Sequence, residues 1–232
     1  MEYKILSFFT NKEREIITKT TYTPLEVKLQ LIADYFWYVM ALVDHSVEMW
    51  LRTSCANIFL NSLDNVNASN IALGDKNCDI EIPELDLWES QNIGGFSVDA
   101  QIRKNINNES LMGKTFSNKE KGAKYLVEQR TLDSFNFEFE INLIKVDVEG
   151  YELEFFIGGS ETLRRNYFPP IIFELWIGKS WYEEKAQKTK RILIDFGYRF
   201  TEFGREILAQ HPDHPVQCLI DRNGENVNLR LA

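Results

Sequence analysis

Glycine is missing from the first 73 residues of this 232-residue chain. Average usage would put about five glycines in a stretch of that length. The first one is Gly74, and only 12 occur in the whole chain. A glycine-rich turn, in which the backbone approaches a ligand closely, is therefore absent from the start of the chain.

Cysteine is equally sparse, and its pattern excludes two classes of protein. The three cysteines, Cys55, Cys78 and Cys218, are scattered, odd in number and never arranged as a CxxC pair. A disulfide framework and a thiolate zinc site are both disfavoured by this spacing. We expect a reducing compartment and no metal site.

An excess of positive charge is also lacking. Acidic residues outnumber basic ones by 35 to 26, and the formal net charge is -9. Nucleic acids and anionic membranes are bound through basic surfaces, so neither is an expected partner. The sequence does not indicate an oligomeric state.

No hydrophobic run is long enough to span a bilayer. The most apolar one, "DYFWYVMALVD" (Asp34–Asp44), is bounded by charges and far shorter than the roughly 20 residues required. The first residues lack the basic head and cleavage site of a signal peptide. We therefore expect a soluble, cytoplasmic protein.

The chain does contain alternating strand and helix patterns from residue 78 onward. Continuous apolar runs predict buried strands at 141–148 and 171–177. A helical period follows Gly150 and ends near Asn166, and a second predicted helix spans 180–197, capped by Ser180 and stopped by Gly197. Strands at 198–203 and 216–221 complete an open, mostly parallel α/β sheet with an antiparallel last strand.

The earlier part of the chain is less regular. A helix is predicted at 47–63, a strand at 66–75 and a short β-rich segment at 78–86. Residues 84–123 carry Asn, Gly, Lys and Ser without a clear period, which is typical of a lid, a binding loop or disorder.

Two carboxylates, Asp147 and Glu149, lie at the end of the predicted strand 141–148. At this i, i+2 spacing they point to the same side if the strand persists. Ligands of open α/β sheets bind outside the carboxyl ends of strands, and neighbouring carboxylates can differ in pKa. Acid–base catalysis and a solvated strand end, with Glu149 favouring the next helix through its dipole, both remain open on the local chemistry.

A resemblance to a known family favours catalysis. The segment "IKVDVEGYELEFFIGGSETLRRNYFPPIIFEL" (Ile144–Leu175) resembles the signature of the FkbM-type methyltransferases. The segments 51–75, 82–99 and 128–135 resemble further family elements in the same order, so the likeness covers roughly residues 50–220. The matching signature positions are Asp147, Glu149, Gly150, Glu152, Gly158, Pro170 and Glu174.

The resemblance implies a Rossmann-like class I fold and S-adenosylmethionine-dependent O-methylation of a glycan or secondary-metabolite hydroxyl. Under it, Asp147 is the candidate base or orienting group, and Glu149 orients the acceptor or the loop. Four positions carry over to the cofactor and its covering loop: Asp75, near the adenine, and Asn92, Gly94 and Gly95, in a loop over the active site.

Residues 1–49 depart from the family pattern and form an atypical segment before the FkbM-like domain at 50–232. The family's glycine-rich first turn is absent, so the first βα unit is expected to be degenerate or disturbed. Asp44 in "LVDHS" stands where a ribose-binding acid is expected. Loss of the cofactor site, a shifted reading frame, or an unusual mode of cofactor binding would each explain the departure, and the first two imply a non-catalytic homologue.

Other features are interpreted as structural. The loop "HPDHP" (His211–Pro215) has two histidines, but a two-histidine metal site needs a further ligand. Glu174 needs a partner if it is buried. Trp176, Trp181 and Tyr182 could stack on a sugar, although core packing is the simpler interpretation. A glycosyltransferase-like Asp-Val-Glu metal motif lacks the accompanying nucleotide-sugar features.

Overall fold

In the computed structural model, the residues described are 4–8, 36–41, 58–60, 66–86, 89, 96–111, 118–223 and 226–232. They form a mixed α/β structure with parallel and antiparallel strands. Asp44, Asn92, Gly94 and Gly95, together with most of the predicted helix 47–63, lie outside the described residues.

The main sheet has seven strands in the order β3-β2-β1-β7-β8-β10-β9. The first five strands in this order run parallel to one another, and β10 runs antiparallel to both β8 and β9. Their bounds are β1 Lys4–Phe8, β2 Phe36–Ala41, β3 Val66–Asn70, β7 Leu143–Val146, β8 Ile171–Glu174, β9 Arg199–Phe203 and β10 Glu206–Gln210.

Two smaller sheets accompany the main one. Strand β6 (Glu120–Arg130) pairs with β5 (Cys78–Leu85) and, through its last two residues, with β4 (Ala72–Leu73). The chain ends in a hairpin of β11 (Cys218–Asn223) and β12 (Asn226–Leu231).

Residues 58–60, the described part of the predicted helix 47–63, are helical. The helices α1 (Ala100–Leu111), α2 (Glu152–Gly158), α3 (Ser160–Arg165) and α4 (Glu183–Asp195) follow later in the chain. The main core joins α2 and α4 to one face of β7 and β8 through residues such as Phe155, Phe156 and Phe173. A smaller apolar cluster includes Leu143, Leu208 and residues of the C-terminal hairpin, and so covers the other face of these strands.

One helix was predicted after Gly150, but the structure has two, because the helix is interrupted at Gly159. Two contacts with distant segments produce the break. A side chain at Gly158 would meet the carbonyl oxygen of Gly74, so this turn packs directly on backbone. Asp133 then accepts the first free N–H groups of α3, from Glu161 at 3.1 Å and Thr162 at 2.6 Å.

The predicted helix 180–197 is confirmed with later bounds. Ser180 does not cap it, because α4 begins at Glu183 and Tyr182 occupies the cap position without a side-chain hydrogen bond. Gly197 does end it, with the left-handed φ of +92° that favours glycine.

The end of the sheet differs from the prediction. The antiparallel strand next to β8 is β10, joined to β9 by a tight turn at Gly204 (φ +65°). The run "VQCLID" instead belongs to the separate hairpin β11–β12. The irregular segment 84–123 also contains a helix, α1, whose N-terminus is capped by Asp99 through the N–H groups of Gln101 and Ile102.

No helix in the described ranges is both long enough and apolar enough to cross a membrane.

Candidate functional site

The order of strands reverses between β1 and β7 at the middle of the main sheet. From this point the chain adds β2 and β3 on one side and β8 on the other. In open α/β sheets, ligands bind at such a reversal, outside the carboxyl ends of the strands. Asp147 directly follows β7, so this predicted catalytic carboxylate lies at the expected place.

Burial alternates along β7 and past its end. Ile144, Val146 and Val148 are at most 1 % exposed and belong to the main core. Asp147 and Glu149 are only half-buried. The structure thus keeps both predicted catalytic carboxylates out of the core, within reach of a ligand.

Other charged side chains gather near Asp147. Lys145, two residues before it, contacts both carboxylate oxygens of Glu206 at 2.8 Å. Glu206 is paired in register with Glu174, the last residue of β8. Burial, Asp147 and Glu206 together raise the pKa of Glu174, against the opposing charges of Lys145 and Arg205. The edge is therefore predominantly acidic.

The side chain of Glu174 makes no hydrogen bond or ion pair with any part of the chain that the structure describes. The partner expected from its sequence position is therefore not found among these residues. Its half-buried carboxyl remains available to a ligand at the same edge.

A strained turn follows Asp147. Glu149 has a φ of +47° and Gly150 a φ of +88°, so two consecutive residues are left-handed. This conformation costs a non-glycine residue about 1–2 kcal/mol, and it persists where surrounding contacts hold it. Gly150 is required for space as well, since a side chain there would lie 2.8 Å from Ile102 and 3.3 Å from Trp176.

Two hydrogen bonds hold this turn: the N–H of Tyr151 donates to the carbonyl of Val148 at 3.3 Å, and the side chain of Glu152 adds a second. Glu152 is 3 % exposed, accepts the N–H of Gly150 at 3.1 Å, and accepts the hydroxyl of Tyr182 at 2.6 Å. Burial raises the pKa of Glu152 to about 7, and the nearby Asp147 acts in the same direction, while the hydrogen bonds oppose the shift.

Glu152 is one of the matching signature positions, but no role in the site was predicted for it. A signal for its burial was present, because Glu152 shares a helix face with Phe155 and Phe156 at i, i+3 and i+4 spacing. A carboxylate on the apolar face of a short helix needs a partner, and Tyr182 supplies it.

Three aromatic side chains lie next to the turn. Trp176 contacts Trp181 edge-on at 5.8 Å and Tyr182 at 5.5 Å between ring centroids. Tyr182 is fully buried, and the ring nitrogen of Trp181 donates to Glu109 of α1 at 2.9 Å. Their contacts are those of packing groups, although half-buried Trp176 also forms one side of the Gly150 turn.

Lys185 of α4 forms ion pairs with residues at the start of α1 and in α2, beside the turn. Its ammonium lies 3.2 Å from Asp99 and 2.8 Å from Glu154, and 5.1 Å above the ring of Tyr151. Since the side chain of Lys185 is 15 % exposed, its ion pairs with Asp99 and Glu154 are partly shielded from water. The helices around the carboxylates are thus fixed relative to one another.

Among the predicted cofactor residues, only Asp75 is described. It is exposed and follows Gly74 at a bend that packs against Gly158, the last residue of α2. The Gly150–Glu152 turn is at the other end of that helix, where the charge of Asp75 contributes, after burial and Glu154, to a raised pKa of Tyr151. The roles given to Asp75, Asp44, Asn92, Gly94 and Gly95 stay predictions.

A cavity of about 420 Å³ lies away from this edge. It is lined mainly by Phe135–Glu140, the segment leading into the amino end of β7, and by residues of α3. It therefore faces the opposite end of the strand from Asp147.

The two histidines of the loop 211–215 have packing contacts. His211 stacks on Phe168 at 4.9 Å, and Nδ1 of the buried His214 lies 2.8 Å from the carbonyl oxygen and 3.1 Å from the amide nitrogen of Val216. Across the described ranges, no group of three His, Cys, Asp or Glu residues is placed to hold a metal ion.

Comparison with known proteins gives a family match over most of the chain. The model of the FkbM methyltransferase domain matches residues 42–200. No curated protein matches. The crystal structure of the methyltransferase FkbM from Methylobacillus flagellatus KT is similar at 10 % identity, with a TM-score of 0.49. The similarity covers 90 % of this chain but 44 % of that one, so the chain spans less than half of its length.

Proposed function

The chain belongs to the FkbM methyltransferase family, and from this premise we propose that it is an S-adenosylmethionine-dependent O-methyltransferase. The proposed acceptor is a hydroxyl group of a glycan or a secondary metabolite. The observation that carries the proposal is the position of Asp147, at the carboxyl end of β7 and at the reversal of strand order.

We also propose that the main sheet is a Rossmann-like class I methyltransferase sheet. Its parallel part, taken in chain order, has the arrangement 3-2-1-4-5, with β7 and β8 as the fourth and fifth strands. This is the order of the first five strands in doubly wound dinucleotide-binding sheets. The antiparallel strand β10 beside β8 fits the same proposal.

Asp147 is the proposed general base. An acceptor hydroxyl would become a better nucleophile as its proton moves to this carboxylate. Its oxygen would bond to the methyl carbon as the carbon–sulfur bond of the sulfonium breaks, and S-adenosylhomocysteine would be the leaving group. Glu149 and Glu174 border the same place and would hydrogen-bond the other hydroxyl groups of the acceptor. The turn at Gly150 and the ring of Trp176 close one side of this site.

The acidic edge fits a positively charged methyl donor. S-adenosylmethionine supplies an electrophilic methyl group on a sulfonium and carries a positive amino group, so neighbouring carboxylates are favourable. On the family resemblance, Asp44 would bind the ribose, Asp75 would lie near the adenine, and Asn92, Gly94 and Gly95 would cover the site. Since no glycine precedes Gly74, the methionine portion would be held by side chains or ordinary backbone.

Calorimetric titration with S-adenosylhomocysteine tests the proposal. We expect a dissociation constant in the micromolar range for the folded chain, and unchanged binding after Asp147→Asn, because that carboxylate acts on the acceptor. Absence of binding by a chain shown to be folded would indicate a non-catalytic homologue.

A further inference from the structure

Glu152 connects the catalytic turn to the helix that packs behind it. One carboxylate oxygen accepts the N–H of Gly150, and the other accepts the hydroxyl of Tyr182 in the segment that enters α4. Both bonds are buried. A single side chain thus fixes the second left-handed residue of the turn to a neighbouring element.

We propose that Glu152 is a positioning residue for methyl transfer, which holds the Glu149–Gly150 turn and so directs the Asp147 and Glu149 carboxylates toward the acceptor. The proposal rests on the function proposed above. Glu152 does not touch the acceptor, since it is buried beneath the turn.

The need for such a residue follows from the strain in the turn. Glu149 has a φ of +47°, which a side chain rarely adopts, and the chain leaves β7 only three residues earlier. Left-handed residues of this kind persist when surrounding contacts fix them. Removal of the bond to Gly150 would allow Glu149 to relax, and misplacement of a reacting group by about 1 Å can lower a rate by roughly a hundredfold.

The ionisation state of Glu152 determines how firmly the turn is held. An ionised carboxylate accepts both hydrogen bonds, and such charge-assisted bonds are stronger than neutral ones. The carboxyl is faced by Tyr182 of the α4 entry and by Asp147 after β7. Burial raises the pKa of Glu152 to about 7, with Asp147 adding to the shift.

Other charged groups lie near the Glu152–Tyr182 pair. Glu149 and Glu154 act on the Tyr182 hydroxyl, while Lys185 of α4 pairs with Glu154 and Asp99. Because Lys185 is engaged by these two acids, Glu152 has no cation as its direct hydrogen-bond partner among the described residues. Turnover is therefore expected to rise with pH through about 7 as Glu152 ionises.

The backbone amide of Gly150 reports on the proposal without any assay of activity. In chain labelled with 15N-glycine, we expect the Gly150 resonance to titrate with an apparent pKa near 7, because its N–H is bonded to Glu152. The titration should vanish in Glu152→Gln. A Gly150 amide that does not shift between about pH 5 and 8.5 would overturn the proposal.

Kinetics test the consequence for the reaction. Glu152→Gln keeps an acceptor for Gly150, so we expect kcat at pH 8 within about tenfold of the parent and no rise through pH 7. Glu152→Ala should lower kcat by roughly a hundredfold with little change in KM. An unchanged pH profile in Glu152→Gln would overturn the proposal.

Tyrosine variants give a matched control. Tyr182→Phe removes the hydroxyl bonded to Glu152 and should lower kcat, whereas Tyr198→Phe removes a buried hydroxyl bonded to Pro169 at 2.9 Å and should not. Equal effects of both changes would contradict a specific role.

The failures of the two proposals can be told apart. A parent chain that neither binds S-adenosylhomocysteine nor transfers methyl groups contradicts the proposed function. A parent chain that is active while Gly150 does not titrate contradicts only the role of Glu152.

Discussion

A methyl group on Gly158 would lie 1.9 Å from the carbonyl oxygen of Gly74. These glycines bring the end of α2 directly onto the backbone that follows β4. The contact helps to end α2 after seven residues, and it fixes the helix that begins at Glu152. The position of the Glu149–Gly150 turn thus depends on a contact at the far end of the same helix.

Substitution of Gly158 by Ala should therefore destabilise the protein. Overpacking against backbone typically costs about 1–3 kcal/mol, which exceeds the roughly 1 kcal/mol that alanine adds to helix propensity. Denaturant unfolding measures the change. Gly122→Ala is the control, because a side chain there meets nothing within 4 Å, and an equal loss in both variants would contradict the account.

Asp133 should contribute to stability as a cap supplied by a distant segment. It accepts two N–H groups at the start of α3, so Asp133→Ala is expected to cost about 1 kcal/mol in the free energy of unfolding. The exposed Glu138 serves as the control site. Identical unfolding midpoints for Asp133→Ala and the parent would show that α3 does not depend on this cap.

The strands could be predicted from sequence where their own residues determine them. The mostly apolar run around Leu143–Val146 predicted β7, and the run at Ile171–Glu174 predicted β8. Gly197 similarly marked the end of α4 through its own conformational freedom. The mixed α/β class and the position of Asp147 near the carboxyl end of a buried strand followed from these local signals, although β7 ends at Val146, two residues earlier than the predicted strand.

Features that depend on distant residues could not be predicted in this way. The break between α2 and α3 requires Asp133, 29 residues before the amide that it caps. The buried position of Glu152 requires Tyr182, 30 residues later. A tight turn at Gly204 and the strand β10 were missed because the run "EILAQ" is short and follows closely on β9.

The titration of Glu152 should appear in the pH dependence of stability. Its pKa is about 7 in the folded chain against an ordinary 4.5, so between these values the folded state holds a proton that the unfolded state has lost. Stability from this group is highest below about pH 4.5 and falls by roughly 3 kcal/mol as pH rises to about 7.

Unfolding of the parent and Glu152→Gln across this range measures that contribution. The neutral variant should gain stability relative to the parent as pH rises, and the difference should level off above about pH 7. A difference that is independent of pH would contradict the raised pKa.

The charges flanking Glu174 should shift its pKa in opposite directions. Lys145 lowers that pKa and Glu206 raises it, so Lys145→Met should raise the pKa of Glu174 and Glu206→Gln should lower it. Carbon-13 NMR titration of the glutamate carboxyls distinguishes the two variants. Shifts of the same sign in both would contradict the arrangement of charges at this edge.

The central claim is that Asp147 accepts a proton during methyl transfer to a hydroxyl. The most direct measurement is transfer of a labelled methyl group from S-adenosylmethionine to a panel of oligosaccharides and polyhydroxylated metabolites, by the parent chain and Asp147→Asn. We predict transfer by the parent and a rate lower by about 10²-fold or more in the variant, with S-adenosylhomocysteine binding retained. Equal rates in the two chains would contradict the assignment of Asp147 as the base.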